Sequence, residues 1–325
     1  MPEIDLTAGP IAYEDTGGDG PTLVFLHGLA MDGTVWRHVV GDLRVDYRCV
    51  VPTLPLGGHH RPMRPDADLT LHGIGRLVAE FLERLDLHDV VLIQNDWGGA
   101  IVVAADRLSD RIGRLVLVAV EAFDNYPPGL PGKAVALASK LPGGINLALQ
   151  PLRFKPLRRT PTAFGWMSKR PVPDAVMDAW LAPALTQKAI RRDVAKYARS
   201  ARKQQMVDAT ERLRSFDRPA LVVWATEDRI MPPDHGRRLA EVMPNATLVE
   251  VEDSYTLVPE DQPARLAAAL RDFVRGSTGT PPRPTHARSQ PRSACGARRL
   301  MSPARLGWSG SLGHSPSTRR AQAFG

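Results

Sequence analysis

The sequence of 325 residues lacks the features of several large protein classes. No run of about 18 apolar residues occurs, so we predict no transmembrane helix and no membrane partner. The N-terminus, MPEIDLTAGP, has no apolar stretch and does not have the pattern of a secretory signal. The two cysteines, Cys49 and Cys295, lie far apart in unlike segments, which favours reduced thiols over a disulfide framework. Together these absences predict a cytoplasmic protein.

Motifs for cofactors and metals are also missing. The sequence contains no G-x-G-x-x-G fingerprint, no P-loop and no cluster of residues with metal-ligand spacing. We therefore expect no cofactor and no metal, and we expect the partner to be a small-molecule substrate.

Acidic residues are absent from the C-terminal segment, and this explains the basic character of the whole chain. Residues 276–325 contain eight arginines and no Asp, Glu or Lys, whereas the net charge of the full chain is +7. Residues 1–275 therefore carry a net charge close to −1, which argues against a nucleic-acid partner. Because the segment is rich in Pro, Ser, Gly and Arg without hydrophobic periodicity, we predict a disordered basic tail over 276–325.

Short β-rich runs alternate with longer amphipathic stretches, such as 71–85, through most of the remaining chain. This alternation predicts parallel βαβ units, and hence an α/β fold with a doubly wound, mostly parallel sheet. Small-molecule sites in such sheets lie beyond the carboxyl ends of the strands. The predicted buried strands include 22–26, 47–52, 89–94, 114–120, 220–225 and 246–251.

One long interval interrupts the alternation. Residues 122–214 contain no convincing buried strand, and a loop of that length is improbable in a compact domain. We predict a helical cap over 122–214, inserted after the sixth strand-like run and lying over the strand ends. The core is then formed by 1–121 and 215–275.

The segment DVVLIQNDWGGAIVVAAD (89–106) has the strand–turn–helix pattern of a nucleophile elbow, with Asp96 at the turn. Gly98 and Gly99 leave room for the strand and the helix to approach each other closely. Gln94 stands where the usual elbow carries glycine. The alternative interpretation makes Asp96 an ordinary helix N-cap.

Two further motifs occur in the order expected around such an elbow. His27-Gly28 ends an earlier strand, where the amide of Leu29 is placed to form an oxyanion hole with that of Trp97. Asp228 ends a late strand, in a frequent setting for an orienting acid. This order of motifs resembles the α/β-hydrolase superfamily over residues 10–275, which implies the α/β-hydrolase fold.

An aspartate in the sequence DWGG resembles the haloalkane dehalogenases and epoxide hydrolases. The resemblance implies that Asp96 is a nucleophile that attacks carbon and forms an alkyl-enzyme ester, which water then hydrolyses. It also implies that the indole of Trp97 holds a departing halide. Asp228 is the preferred orienting acid, and Glu121, just after the sixth strand, is the alternative.

Several positions depart from these families or leave alternatives open. Leu29 stands where some dehalogenases carry a halide-binding asparagine. A tryptophan of the cap, Trp166 or Trp180, is a candidate for that task, and packing is the simpler role for both. Tyr126 and Tyr197 are the corresponding candidates for protonating an epoxide.

The base histidine of these families is absent. In the family pattern a Gly-His pair precedes the last helix, with proline seven residues after the histidine, and counting back from Pro263 places Tyr255 and Thr256 there. Threonine cannot activate water as imidazole does. His59 and His60 are candidate substitute bases. We therefore predict a hydrolase of a small haloalkane, epoxide or ester, impaired by Thr256, with an inactive binding or scaffold protein as the alternative.

Overall fold

The fold was analysed in a computed structural model that describes residues 1–276. The predicted basic tail therefore lies outside the described residues, except for Gly276, which ends the last helix. Within the described part of the chain, eight strands form one sheet in the order β1-β2-β4-β3-β5-β6-β7-β8. The pairs β1–β2 and β2–β4, at one edge, are antiparallel. All neighbours from β4 to β8 pair in parallel. The predicted α/β class with a mostly parallel sheet is confirmed.

The strands are β1 Glu3–Leu6, β2 Gly9–Asp15, β3 Thr22–Leu26, β4 Arg48–Pro52, β5 Val90–Asp96, β6 Ile112–Val120, β7 Ala220–Ala225 and β8 Ala246–Val251. The α-helices are α1 Arg37–Leu43, α2 Leu71–Arg84, α3 Ala100–Ala105, α4 Gly129–Ala138, α5 Gly144–Leu149, α6 Lys155–Arg158, α7 Asp174–Thr186, α8 Lys188–Ser200, α9 Lys203–Arg212, α10 Pro233–Val242, α11 Val258–Asp261 and α12 Pro263–Gly276. Short 3₁₀ helices span Gly33–Trp36, Gln150–Arg153 and Leu213–Ser215.

The central strands are buried along their whole length. Every residue of β5 and β7 is buried, since helices cover both faces of the sheet. α2 begins where the side chain of Thr70 accepts a hydrogen bond from the backbone N–H of Gly73, and it packs against α3. The core therefore fixes the carboxyl ends of β3, β5, β6 and β7 at one edge of the sheet.

Between β6 and β7, the residues from 122 to 214 contain α4 to α9 and no strand. We call these residues the cap. The buried Trp180 of α7 donates a hydrogen bond from Nε1 to Thr34 Oγ1 over 2.7 Å, which joins the cap to a 3₁₀ helix of the core. Among the described residues, no helix combines the length and the apolar composition needed to cross a membrane.

Candidate functional site

The turn after β5 has a strained backbone, as the prediction of a nucleophile elbow at Asp96 requires. Asp96 has a φ of +56°, in the left-handed region that non-glycine residues seldom adopt, and α3 begins four residues later. Such a conformation costs about 1–3 kcal/mol, so the surrounding structure must hold it in place. The N-cap of α3 is Gly99, with no side-chain cap, so Asp96 does not have the N-cap role of the alternative interpretation.

The loop after β3 lies directly against Asp96. The backbone N–H of Leu29 donates to Asp96 Oδ2 over 3.1 Å. A Cβ at Gly28 would overlap that same oxygen and would lie 2.6 Å from Asp96 Cβ. Only glycine at position 28 therefore allows the loop to approach closely enough for the Leu29 amide to bind the carboxylate.

Burial determines the protonation of Asp96. Its side chain is buried, and burial raises its pKa to about 6. The backbone N–H groups of Trp97 and Leu29 oppose this shift because they bind the charged form. These are the two amides that the sequence places in an oxyanion hole, and they leave the carboxylate largely ionised near pH 7.5.

Gln94 links the elbow to the end of β6. Its Nε2 donates to the carbonyl oxygen of Asp96 over 2.6 Å and to Glu121 Oε2 over 3.0 Å, and its Oε1 accepts from the N–H of Ala100 over 2.6 Å. The amide thus supplies polar contacts where a glycine elbow has none. Sequence reasoning noted the departure at position 94 but did not find this role, although a buried strand with a glutamine at its end was a signal for it.

Glu121 is completely buried beside the elbow. Burial, and then the charge of Asp96, raise the pKa of its carboxyl group well above the ordinary value. Its Oε1 has no hydrogen-bonding partner among the described residues. Of the two acids proposed as orienters, Glu121 is thus held by Gln94.

Asp228, the other acid, is paired with the residue at the histidine position. Thr256 donates from Oγ1 to Asp228 Oδ1 over 2.8 Å, and that oxygen also accepts from the N–H groups of Ile230 and Met231. Burial raises the pKa of Asp228 to about 7, and the charge of Asp96 adds to the shift. Asp228 and Thr256 therefore occupy the relation that an orienting acid and a base would have, with a hydroxyl in place of an imidazole.

Asn95 fixes the loop that carries Thr256. Its Nδ2 donates to the backbone carbonyl oxygen of Val118 over 2.7 Å and to that of Thr256 over 2.8 Å. The residue before the elbow thus ties β5 to β6 and to the loop after β8. Sequence reasoning missed Asn95, because alternation along a fully buried strand does not reveal what a polar side chain faces.

The structure does not bring the two candidate substitute bases to Asp96. His59 is buried, its Nε2 lies 3.2 Å from Asp193 Oδ2 of α8, and burial lowers its pKa. His60 is exposed, and both histidines line a cavity that does not include Asp96. His59 instead joins a core loop to the cap.

Asp96, Leu29 and Trp97 line one cavity of about 340 Å³ between the core and the cap. Its remaining walls come almost entirely from apolar residues, among them Val135 of α4 and Leu157 of α6. A cavity of this size and lining suits a small apolar organic molecule. The carboxylate of Asp96 is the one acidic group in the wall of this cavity as the structure describes it.

The aromatic candidates of the cap take different positions. Trp97 packs against the rings of Tyr126 and Tyr197, with centroid distances of 5.6 and 5.3 Å. Burial raises the pKa of both tyrosines, and neither of them lines the cavity of Asp96. Trp166 and Trp180 do not line it either, so Trp97 is the one of these tryptophan candidates that lines the cavity.

The mostly parallel sheet, with helices on both faces and a helical segment between β6 and β7, is the architecture of the α/β hydrolases. A match to the alpha/beta hydrolase family spans residues 23–269, and the chain belongs to that family. It is a hydrolase of this fold with homologues among the haloalkane dehalogenases.

Three similar proteins are haloalkane dehalogenases by name. A haloalkane dehalogenase of Mesorhizobium japonicum is 29% identical over 126 residues, which is 38% of this chain and 40% of that protein. Haloalkane dehalogenase 2 of Mycobacterium tuberculosis is 28% identical over 286 residues, covering 82% of this chain and 92% of that protein. The solved structure of a haloalkane dehalogenase loop variant from Bradyrhizobium elkanii has a TM-score of 0.68 at 18% identity, and covers 84% of this chain and 95% of that chain. That likeness concerns the fold alone.

Proposed function

We propose that this protein attacks the alkyl carbon of a small haloalkane, epoxide or ester through the carboxylate of Asp96, forming a covalent ester that it hydrolyses slowly. The observation that carries the proposal is the position of Asp96. Its carboxylate is buried at the elbow, faces the apolar cavity, and has one oxygen bound to the N–H of Leu29.

The first step needs only groups that surround Asp96. One carboxylate oxygen attacks the carbon of the substrate, a carbon–oxygen bond forms, and the bond to the leaving group breaks with its electron pair. The amide of Leu29 holds the other oxygen, Oδ2. A halide is the leaving group that the lining favours, since Trp97 faces the cavity and the hydroxyls of Tyr126 and Tyr197 do not.

The second step lacks its usual base. Hydrolysis needs a group that takes a proton from water as the water attacks the ester carbonyl of Asp96. Thr256 is fully buried and already donates its hydroxyl proton to Asp228. Because threonine does not accept a proton near neutral pH, the alkyl ester accumulates.

The proposal predicts a burst of halide release rather than sustained turnover. With a small bromoalkane in excess, we expect about one bromide released per protein and then a much slower phase. The rate constant of the burst should rise with pH through about 6, because only ionised Asp96 attacks and burial holds its pKa there. Asp96→Asn should abolish the burst. Asp110→Asn, at a highly exposed carboxylate, is the matched control and should keep it. Steady release without a burst would contradict the missing-base account.

A second candidate is a protein that binds small apolar molecules without chemistry. The observation that favours it is Thr256 at the position of the base. Binding of the same bromoalkanes without any bromide release, in both the wild type and Asp96→Asn, would support this candidate.

A further inference from the structure

The outer surface of the cap exposes an unusual number of large apolar side chains. Six of them lie within a short part of the cap, and Leu147 is 76% exposed. The elements that carry them are neighbours, since α4 packs against α5 and α5 against the 3₁₀ helix that leads to α6. We call this set the cap patch: Leu130, Leu137, Leu141, Leu147, Phe154 and Leu157. Exposed apolar side chains grouped on neighbouring elements are common at binding sites.

Basic residues outnumber acidic ones around the cap patch, where the acids paired with them include Asp174 and Asp178 of α7. Residues 125–173 contain eight Lys and Arg residues and no Asp or Glu. Lys133, Lys140 and Arg153 are exposed and form no ion pair with an acid among the described residues. Lys155 and Arg159 share one acid, Asp174 of α7. The cap patch is therefore surrounded by an excess of positive charge.

We propose that the cap patch docks on the surface of an anionic lipid bilayer. Exposed leucine and phenylalanine side chains insert at the boundary between headgroups and acyl chains, and lysine and arginine bind anionic headgroups. A second copy of this chain fits less well, because it would bring the same uncompensated charges together. The expectation of no membrane partner rested on the absence of a spanning helix, which surface docking does not need.

The cap patch also borders the cavity of Asp96. Leu157 belongs to the patch and to the wall of that cavity. Docking would place the cavity next to the bilayer, where apolar molecules concentrate. The docking itself does not depend on chemistry at Asp96, because it is measured without a substrate.

The test is co-sedimentation of the full chain with vesicles of phosphatidylcholine, with or without phosphatidylserine. We expect binding to the anionic vesicles that weakens as salt is raised. Lys133→Gln with Lys140→Gln should weaken it about 30-fold, since each charge near the surface contributes roughly fivefold. Leu147→Ser with Phe154→Ser should weaken it at least about tenfold. None of these four residues lines the cavity of Asp96.

The matched control is Arg44→Gln with Val45→Ser, which removes an exposed charge and an apolar side chain that is 85% exposed outside the cap. It should bind vesicles like the wild type. Residues 277–325 are present in every variant, so their charge does not explain a difference between variants. Equal binding by all variants, no binding by the wild type, or self-association through the patch without vesicle binding would each overturn the proposal.

Discussion

At the scale of single residues, Thr256 contacts Asp228 at the position where the resemblance to dehalogenases and epoxide hydrolases implies a base histidine. The hydroxyl of Thr256 lies 2.8 Å from Asp228 Oδ1, and that oxygen also accepts two backbone N–H groups. An acid held in this way is ready to orient a base. Thr256, next to it, carries a hydroxyl that does not take a proton from water near neutral pH, so placing an imidazole at position 256 is the most direct test the chain offers.

Thr256→His should therefore raise the rate at which the alkyl ester is hydrolysed. General-base catalysis contributes roughly 10²–10⁴-fold, and the rate is measured as the decay of the ester after excess substrate is removed. Because Thr256 is fully buried, the imidazole ring of the new histidine should lower the stability by about 1–3 kcal/mol through overpacking. A second substitution in the same variant, Tyr255→Gly, supplies space for the ring. Thr256→Val is the control and should hydrolyse no faster than the wild type. A histidine variant that folds, forms the ester and loses it no faster would show that position 256 is not the place of the base.

At the scale of elements, the close approach of the loop after β3 to the turn after β5 explains why the loop carries glycine at position 28. Gly28 and Asp96 Cβ leave no room for a methyl group between them. The approach brings the Leu29 amide to the carboxylate, and it belongs to the packing of two elements, not to either one alone.

Gly28→Ala should separate these elements. We expect a loss of stability of about 1–3 kcal/mol from overpacking, measured by denaturant unfolding, together with a loss of halide release as the Leu29 amide moves away. Gly41→Ala is the matched control, because a Cβ there meets nothing within 4 Å inside α1. Replacing a helical glycine with alanine should leave stability unchanged or raise it by about 0.5–1 kcal/mol. An alanine at position 28 that leaves both stability and halide release intact would show that the approach is less tight than described.

At the scale of the whole molecule, the alternation of strands and helices predicted the parallel part of the sheet, because its central strands contain runs of apolar residues. The antiparallel strands β1 and β2 were not predicted, and β8, predicted as a buried strand, is only partly buried. Asp96, Asp228 and Glu121 could be predicted as neighbours because each follows or ends a parallel strand, and parallel strands bring their carboxyl ends to one edge of the sheet. Their roles in catalysis remain predictions.

Side-chain contacts between segments far apart in the chain could not be predicted from the sequence. His59 pairs with Asp193, which lies 134 positions further along the chain, and no local sequence pattern predicts that partner. Gln94 and Asn95 are similar, because their hydrogen bonds depend on which faces of β5 meet β6 and the loop after β8. Tertiary packing, not spacing, decides such contacts.

The central claim, that Asp96 is a nucleophile whose ester accumulates, is tested most directly by locating the adduct. The full chain is incubated with a small bromoalkane, and intact mass spectrometry is followed by fragmentation of the peptide that contains Asp96. We expect a mass increase of one alkyl group per chain in the wild type, placed on Asp96, and no increase in Asp96→Asn. An alkyl group found on another residue, or bromide released over many turnovers with no adduct at any time, would contradict the account.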